Sequence, residues 1–103
     1  MTLHDEQTFT TYVSLVSVEE PNVQNVQEFS TVWGEIRQEL AERDVHIEQS
    51  YAVLGRFDFL VVLEAPSTDA AFEADVVLER HGLDVETMAV TETDHFAELV
   101  DDT

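Results

Sequence analysis

The alternation of apolar and polar residues predicts four β-strands in this chain. Residues 12–18 read YVSLVSV, so Val13 and Leu15 point to one face and the residues between them to the other, as in a strand. Three more runs of strand character lie at 45–54, 57–64 and 83–90. The run at 57–64 is apolar on both faces, which is typical of a strand in the middle of a buried sheet.

Steps of three and four residues between apolar positions predict a first helix. It should begin at Gln24 or Ser30 and end at Arg43. Gly34, inside this helix, leaves room for another group to approach beside Trp33. The apolar stripe of the helix consists of Val26, Phe29, Trp33, Ile36 and Leu40.

A second helix should begin after Ser67 and end at Gly82. Ser67 can cap its first turn, Asp69 complements the positive end of the helix dipole, and glycine commonly ends a helix. A shorter amphipathic segment follows at 94–100. The inward face of the second helix consists of Ala70, Ala71, Ala74, Val77 and Leu78.

The pair Gly55-Arg56 between the second and third strands predicts a two-residue type II′ turn, because glycine suits the first turn position. Such a turn also fixes the register of the hairpin. The expected cross-strand pairs are Tyr51 with Leu60, Ala52 with Phe59 and Val53 with Asp58.

The order of these elements predicts an α+β, ferredoxin-like βαββαβ fold with a four-stranded antiparallel sheet. Residues 1–10 lack periodicity and are expected to form a flexible tail, which leaves 11–103 as one domain with a short C-terminal helix. Two helices cover only one face of such a sheet, yet the strand at 57–64 is apolar on both. A second copy would cover the other face, so we expect a homodimer.

Composition favours a folded protein in the cytoplasm. The chain has 103 residues, 44% of them hydrophobic, which suits one domain with its own core. It contains no cysteine, which excludes disulfides and thiolate metal sites. The chain starts with polar residues and has no run of about 18 apolar residues that could span a bilayer. We therefore expect a soluble cytoplasmic protein with no membrane partner.

The high negative charge of the chain limits the classes of molecule that it is expected to bind. Twenty-three acidic residues oppose four arginines, and the formal net charge is −19. Such a surface repels phosphate, so nucleic-acid binding is not expected. A basic protein partner would suit these acids, but their dispersal along the chain and the absence of lysine favour adaptation to molar salt, as in the cytosol of a halophile.

Several short stretches resemble the GYD domain family. They are Leu54-Gly55-Arg56-Phe57-Asp58, Glu64-Ala65-Pro66, Asn25-Val26 and Val85-Glu86-Thr87. The resemblance covers about residues 11–90, and Phe57 stands where the family usually has tyrosine. It implies a dimeric α+β barrel. Related barrels include cofactor-independent monooxygenases, haem enzymes and amino-acid-sensing domains, an analogy at the level of the fold alone.

Three aromatic residues with a polar atom are the best candidates to line a ligand pocket. Tyr12, Trp33 and Tyr51 would stand between the sheet and the first helix, although most such residues are simply part of a core. Asp58 is the fourth candidate for this pocket. The sequence thus predicts binding of a small, partly apolar molecule beside Trp33.

Asp58 has two interpretations. Asp58 belongs to the first residue pair after the hairpin turn, where it can accept hydrogen bonds from backbone groups or from Arg56. We favour this structural role. Alternatively, Phe57 and Phe59 could bury it as an acid–base group facing the cleft between sheet and helices.

His46 is the second candidate for acid–base chemistry. Glu48 follows it and is expected on the same face of an edge strand, where a solvated polar face is the commoner explanation. The four histidines of the chain do not have the spacing of a zinc site, so neither a metal nor a cofactor is expected.

Two classes of function remain. In the first, the barrel binds a small molecule as a sensor or accessory subunit. In the second, it is a cofactor-independent oxygenase or isomerase that uses Asp58 or His46 as a base beside Trp33 and Tyr51. Whether the protein is an enzyme stays open, but binding is favoured because the sequence contains no clear acid–base pair.

Overall fold

The computed structural model of the chain describes residues 9–18 and 26–101, with 26–29 described by their backbone only. Most of the predicted tail over 1–10 lies outside these residues, but Thr10 already belongs to the first strand. None of the described helices is long and apolar enough to cross a membrane. The elements are β1 (Thr10–Val18), α1 (Val26–Ala41), β2 (His46–Ala52), β3 (Phe59–Ala65), α2 (Thr68–Arg80), β4 (Leu83–Ala89) and α3 (Thr93–Asp101).

The four strands form one antiparallel sheet in the order β2-β3-β1-β4. β1 and β3 therefore lie in the middle, and β2 and β4 are the edges. With the helices in the predicted places, this arrangement confirms the α+β, ferredoxin-like βαββαβ fold.

The register of the β2–β3 hairpin agrees with the prediction, but its loop is longer. As predicted, the last pairs are Tyr51–Leu60 and Ala52–Phe59. The Val53 amide then donates to the Asp58 carbonyl at 2.9 Å. Residues 54–57 between them form an open bend, with no Leu54–Phe57 hydrogen bond among the described residues. Gly55 has φ of +158°, far from the value of about +60° at the first position of a type II′ turn, so the predicted turn type is wrong. The Asp58 amide donates instead to the Val16 carbonyl at 2.8 Å, which holds the loop against β1.

The core lies between the sheet and helices α1 and α2. Every second residue of β1 and β3 faces it, as the period of two requires. The largest fully buried apolar side chains come from both layers: Val16, Ile36, Leu40, Val45, Val61, Leu63, Val77 and Leu78.

Local signals fix the ends of α2. The Ala70 amide donates to Ser67 Oγ at 3.1 Å, as the capping prediction requires. After the helix, Gly82 adopts φ of +84°, a left-handed conformation that favours glycine. The C-cap residue is His81, whose Nε2 lies 2.9 Å from Oε2 of Glu39 on α1. This contact joins the two core helices at their ends.

Gly34 does not serve the purpose that the sequence suggests. A methyl group at its Cα would meet no atom within 4 Å in the described part of the chain. The close approach expected beside Trp33 is therefore wrong for these residues, and Gly34 is an exposed position of α1.

Candidate functional site

The face of the sheet away from α1 and α2 has an apolar centre, and we call it the open face. β1 and β3 supply the middle of it through the pairs Val13–Val62 and Leu15–Leu60. Met88 of β4 and Tyr51 of β2 stand on either side and are 39% and 51% exposed. No residue of α3 is buried, so this helix gives the open face no close cover.

A β-bulge in β2 decides which side chains reach one end of the open face. The pairing shifts between Ile47 and Gln49, so Glu48 is the extra residue of β2. Because of this shift, Ile47 packs against the core, and His46 lies directly opposite Glu64. An unbulged strand would have turned His46 to the helix side.

Four residues at this end form what we call the His46 cluster: Phe9, Thr11, His46 and Glu64. Thr11 Oγ1 donates to Glu64 Oε2 at 2.6 Å, which fixes the carboxylate. The rings of Phe9 and His46 lie 6.2 Å apart between centroids. The cluster thus combines an apolar ring, an oriented carboxylate and an imidazole.

Two open cavities meet at Phe9. The first, of about 450 Å³, is lined by Phe9, His46, Glu48 and Glu64. The second, of about 540 Å³, shares Phe9 and extends between the start of β1 and His95 at the beginning of α3. Each volume lies in the range of about 300–1,000 Å³ that small-molecule sites occupy.

The residues predicted to line one pocket do not share one. Tyr12 faces the core side of the sheet and is 8% exposed. Tyr51 stands on the open face, where its hydroxyl donates to Gln49 Oε1 at 2.7 Å. Trp33 lies on α1, with its ring centroid 6.2 Å from that of Phe59. The prediction that Tyr12, Trp33 and Tyr51 line one pocket is therefore wrong, because the alternation of strand residues puts the two tyrosines on opposite faces of the sheet.

Asp58 has a structural contact. It is exposed, and its Oδ2 accepts a hydrogen bond from the Val18 amide at 2.8 Å. The guanidinium of Arg56 lies over the Phe57 ring at 4.9 Å. A buried acid–base group between Phe57 and Phe59 does not fit an exposed side chain, so catalysis by Asp58 loses its geometric support.

His46 and Glu48 are both exposed on the edge strand β2 and line the same cavity. Because of the bulge, however, the direct cross-strand neighbour of His46 is Glu64. In the described ranges, no three histidine or carboxylate side chains are grouped so that they could hold a metal ion.

The sequence interpretation missed Phe9, Thr11 and Glu64. Phe9 and Thr11 stand at the boundary of the predicted tail, where no periodicity marks them. Glu64 did carry a signal, since it is the one charged residue after Asp58 in an apolar strand. Its partner could not be inferred, because the bulge that turns His46 toward it leaves no trace in the hydrophobic pattern.

Comparisons with known proteins agree with this fold. A family model for the GYD domain matches residues 12–100. Among solved structures, the chain is similar to one described as structural genomics protein YJCS. The identity is 9%, the TM-score is 0.51, and the alignment covers 82% of this chain and 99% of that chain. At such an identity the likeness shows the fold alone. No curated protein matches the chain.

Proposed function

This chain belongs to the GYD domain family, and we propose that it works as a homodimeric α+β barrel that binds a small, partly apolar molecule at the His46 cluster. One observation carries this proposal. The open face has an apolar centre that the two core helices cannot reach, and it ends in two cavities that meet at Phe9, one of them lined by His46.

A second copy of the chain is the occupant that best suits the centre of the open face. An antiparallel sheet that faces water usually carries polar residues there. Here Val13, Leu15, Leu60 and Val62 form a continuous apolar patch across β1 and β3. Two such patches placed face to face would cover each other, over an interface of about 1,600 Å² or more in total.

The His46 cluster supplies the polar contacts that a small ligand needs. Glu64 is oriented by Thr11, and Phe9 offers an apolar ring beside the imidazole. A partner sheet would close the open side of the cavities and exclude water from these groups. Exclusion of water strengthens polar contacts with a ligand.

The dimer is tested by light scattering in molar KCl, where we expect at least twice the chain mass of 11.7 kDa. Val62→Glu places a charge in the apolar patch and should give monomers. Val76→Glu is the matched control, because Val76 is 52% exposed on α2 and should leave the mass unchanged. A monomeric parent protein would contradict the proposal.

The ligand site is tested by native mass spectrometry of the purified protein. We expect a bound small molecule in the parent protein and its loss in His46→Ala and Glu64→Gln. Glu79→Gln, at an exposed position of α2 on the other side of the sheet, removes the same charge away from the cavities and the open face and should retain the molecule. Binding that survives both cluster variants would place the ligand elsewhere.

The second candidate function is a cofactor-independent oxygenase or isomerase with His46 as the base. It is favoured by the position of His46 directly opposite Glu64, an imidazole–carboxylate neighbourhood that general base catalysis uses. Conversion of the bound molecule by the parent protein, with a pH profile that His46→Gln abolishes, would support this reaction. Release of the unchanged molecule would support binding alone.

We also infer adaptation to molar salt and, with it, a cytosol of high ionic strength. The net charge of −19 and the absence of lysine support this inference. Among the described residues, Arg43 lies near Glu73 and Arg80 lies near Glu39. Four arginines cannot neutralise the 23 acidic residues of the chain.

A further inference from the structure

A small cavity lies on the helix side of the sheet, between α2 and the strands β1 and β4. Its volume is about 180 Å³, and the residues that matter for its chemistry are Tyr12, Thr68, Phe72, Asp75 and Thr87. This cavity is separated from the His46 cluster by the sheet. It is smaller than the sites of drug-sized ligands, so only a molecule of a few heavy atoms would fit.

A chain of hydrogen bonds runs along the wall of the cavity. Thr87 Oγ1 donates to Asp75 Oδ1 at 2.5 Å. The single hydroxyl proton of Thr87 is thereby used, so Ser14, which is fully buried, donates to Thr87 Oγ1 at 2.7 Å. Both hydroxyl protons therefore point along the chain toward Asp75, which fixes the position of its carboxylate.

Two acceptor atoms remain available at the cavity. Asp75 Oδ2 has no hydrogen bond within the described residues, and neither has the hydroxyl oxygen of Tyr12. No buried side-chain oxygen of the described residues lacks a partner, so neither atom is fully buried, and both residues line the cavity. Phe72, 67% exposed, adds an aromatic ring at the rim.

We propose that this cavity binds a small organic ammonium ion. The carboxylate of Asp75 attracts a cation, and the aromatic rings of Tyr12 and Phe72 that line the cavity are groups on which a cation can lie. An anion would be repelled by Asp75 and by the net charge of −19. A divalent metal is not favoured, because a single carboxylate with hydroxyls gives too few charged ligands. The alkyl part of the ion would lie against Ala71 and Phe72.

The probe is butylammonium chloride, titrated into the full chain in molar KCl and followed by amide NMR shifts. We expect saturable shifts at Phe72, Asp75 and Thr87. Butan-1-ol has nearly the same shape without the charge and should bind roughly tenfold more weakly, because it cannot form an ion pair with Asp75 or a cation–π contact with the rings.

Variants distinguish this site from general attraction by an acidic surface. Asp75→Asn should weaken butylammonium binding roughly tenfold. Glu79→Gln removes the same charge from an exposed position of α2 and should leave binding unchanged. Phe72→Leu, at an exposed position that does not threaten the fold, should weaken binding about threefold through loss of the ring.

Several results would overturn the proposal. One is equal binding of butylammonium and butan-1-ol. Another is equal weakening by Asp75→Asn and Glu79→Gln, which would mean that only the net charge matters. If Asp75→Asn does not fold, the Phe72→Leu variant is the deciding test. Unchanged butylammonium binding in that variant would reject the proposed site.

Discussion

The carboxylate of Asp58 replaces a backbone carbonyl at the end of a strand pair. The ladder between β1 and β3 ends at Val16 and Phe59. Beyond it, the Asp58 amide donates to the Val16 carbonyl, and Asp58 Oδ2 accepts from the Val18 amide at 2.8 Å. One residue thus extends the pairing of β1 after β3 has turned away into the hairpin loop.

Asp58→Ala should lower the free energy of unfolding by about 1 kcal/mol, because the Val18 amide loses its acceptor. Asp58→Asn keeps an acceptor oxygen and should cost less. The measurement is urea unfolding in molar KCl, followed by the fluorescence of Trp33. Asp84→Ala, at an exposed position of β4, is the control and should have little effect. Equal effects of Asp58→Ala and Asp84→Ala would show that the hydrogen bond contributes nothing.

The fold was predictable because local and global signals in the sequence agree. The spacing of apolar residues from Trp33 to Leu40 indicates α1. Ser67 and Gly82 mark the two ends of α2. The register of the β2–β3 hairpin follows from the residues around Gly55. The loop was misjudged because the Asp58 amide pairs with β1, a contact that only the assembled sheet provides.

The candidate site was much less predictable. The alternation in β2 alone places His46 on the helix side, and the bulge at Glu48 reverses this. Asp75 and Thr87 are 12 residues apart and look like surface positions of a helix and a strand until the packing of α2 on β4 joins them. Contacts of this kind depend on which residues meet in the folded protein, and hydrophobic periodicity along the sequence does not reveal this.

Gly34→Ala should raise the free energy of unfolding by up to about 1 kcal/mol, because alanine is the better helix former. A methyl group there meets no atom within 4 Å among the described residues. Gly82→Ala is the opposite case, since φ of +84° strains any side chain, and it should lower stability by about 1–2 kcal/mol. Loss of stability in Gly34→Ala would mean that another group does approach α1, as the sequence suggested.

The contact between Glu39 and His81 makes stability depend on pH. The hydrogen bond from His81 holds the pKa of Glu39 below its ordinary value of 4.5, and the charges of Arg80 and Arg43 act in the same direction. Partial burial opposes them. Since the pKa is lower in the folded state, the contact stabilises the protein above pH 4.5 and is lost as the pH falls through the folded pKa.

Glu39→Gln should therefore melt at a lower temperature than the parent protein near pH 7, and the difference should vanish in acid. Comparison of parent and variant at each pH cancels the titration of the other carboxylates. Glu42→Gln, at a side chain that is 70% exposed, is the control and should follow the parent protein throughout. A difference in melting temperature between Glu39→Gln and the parent protein that stays constant down to pH 3, about one and a half units below the ordinary pKa of 4.5, would contradict the linkage.

The last prediction concerns the acidic surface as a whole. At about 0.1 M salt the Debye length is about 10 Å, so each carboxylate is repelled by several neighbours. Four arginines against 23 acids cannot offset this, and two equally charged protomers would also repel each other. At molar salt the screening length falls to about 3 Å and the repulsion nearly disappears.

Dilution of KCl from molar concentration to about 0.1 M, where the Debye length is about 10 Å, should dissociate the proposed dimer first and then lower the melting temperature. Acidification at low salt should partly restore both, because protonation removes negative charge. NaCl at the same ionic strength is the control, since screening does not distinguish the two cations. Circular dichroism and light scattering at equal protein concentration measure the two effects. A melting temperature that does not change with salt would reject salt adaptation and would favour a basic protein as the partner of this surface.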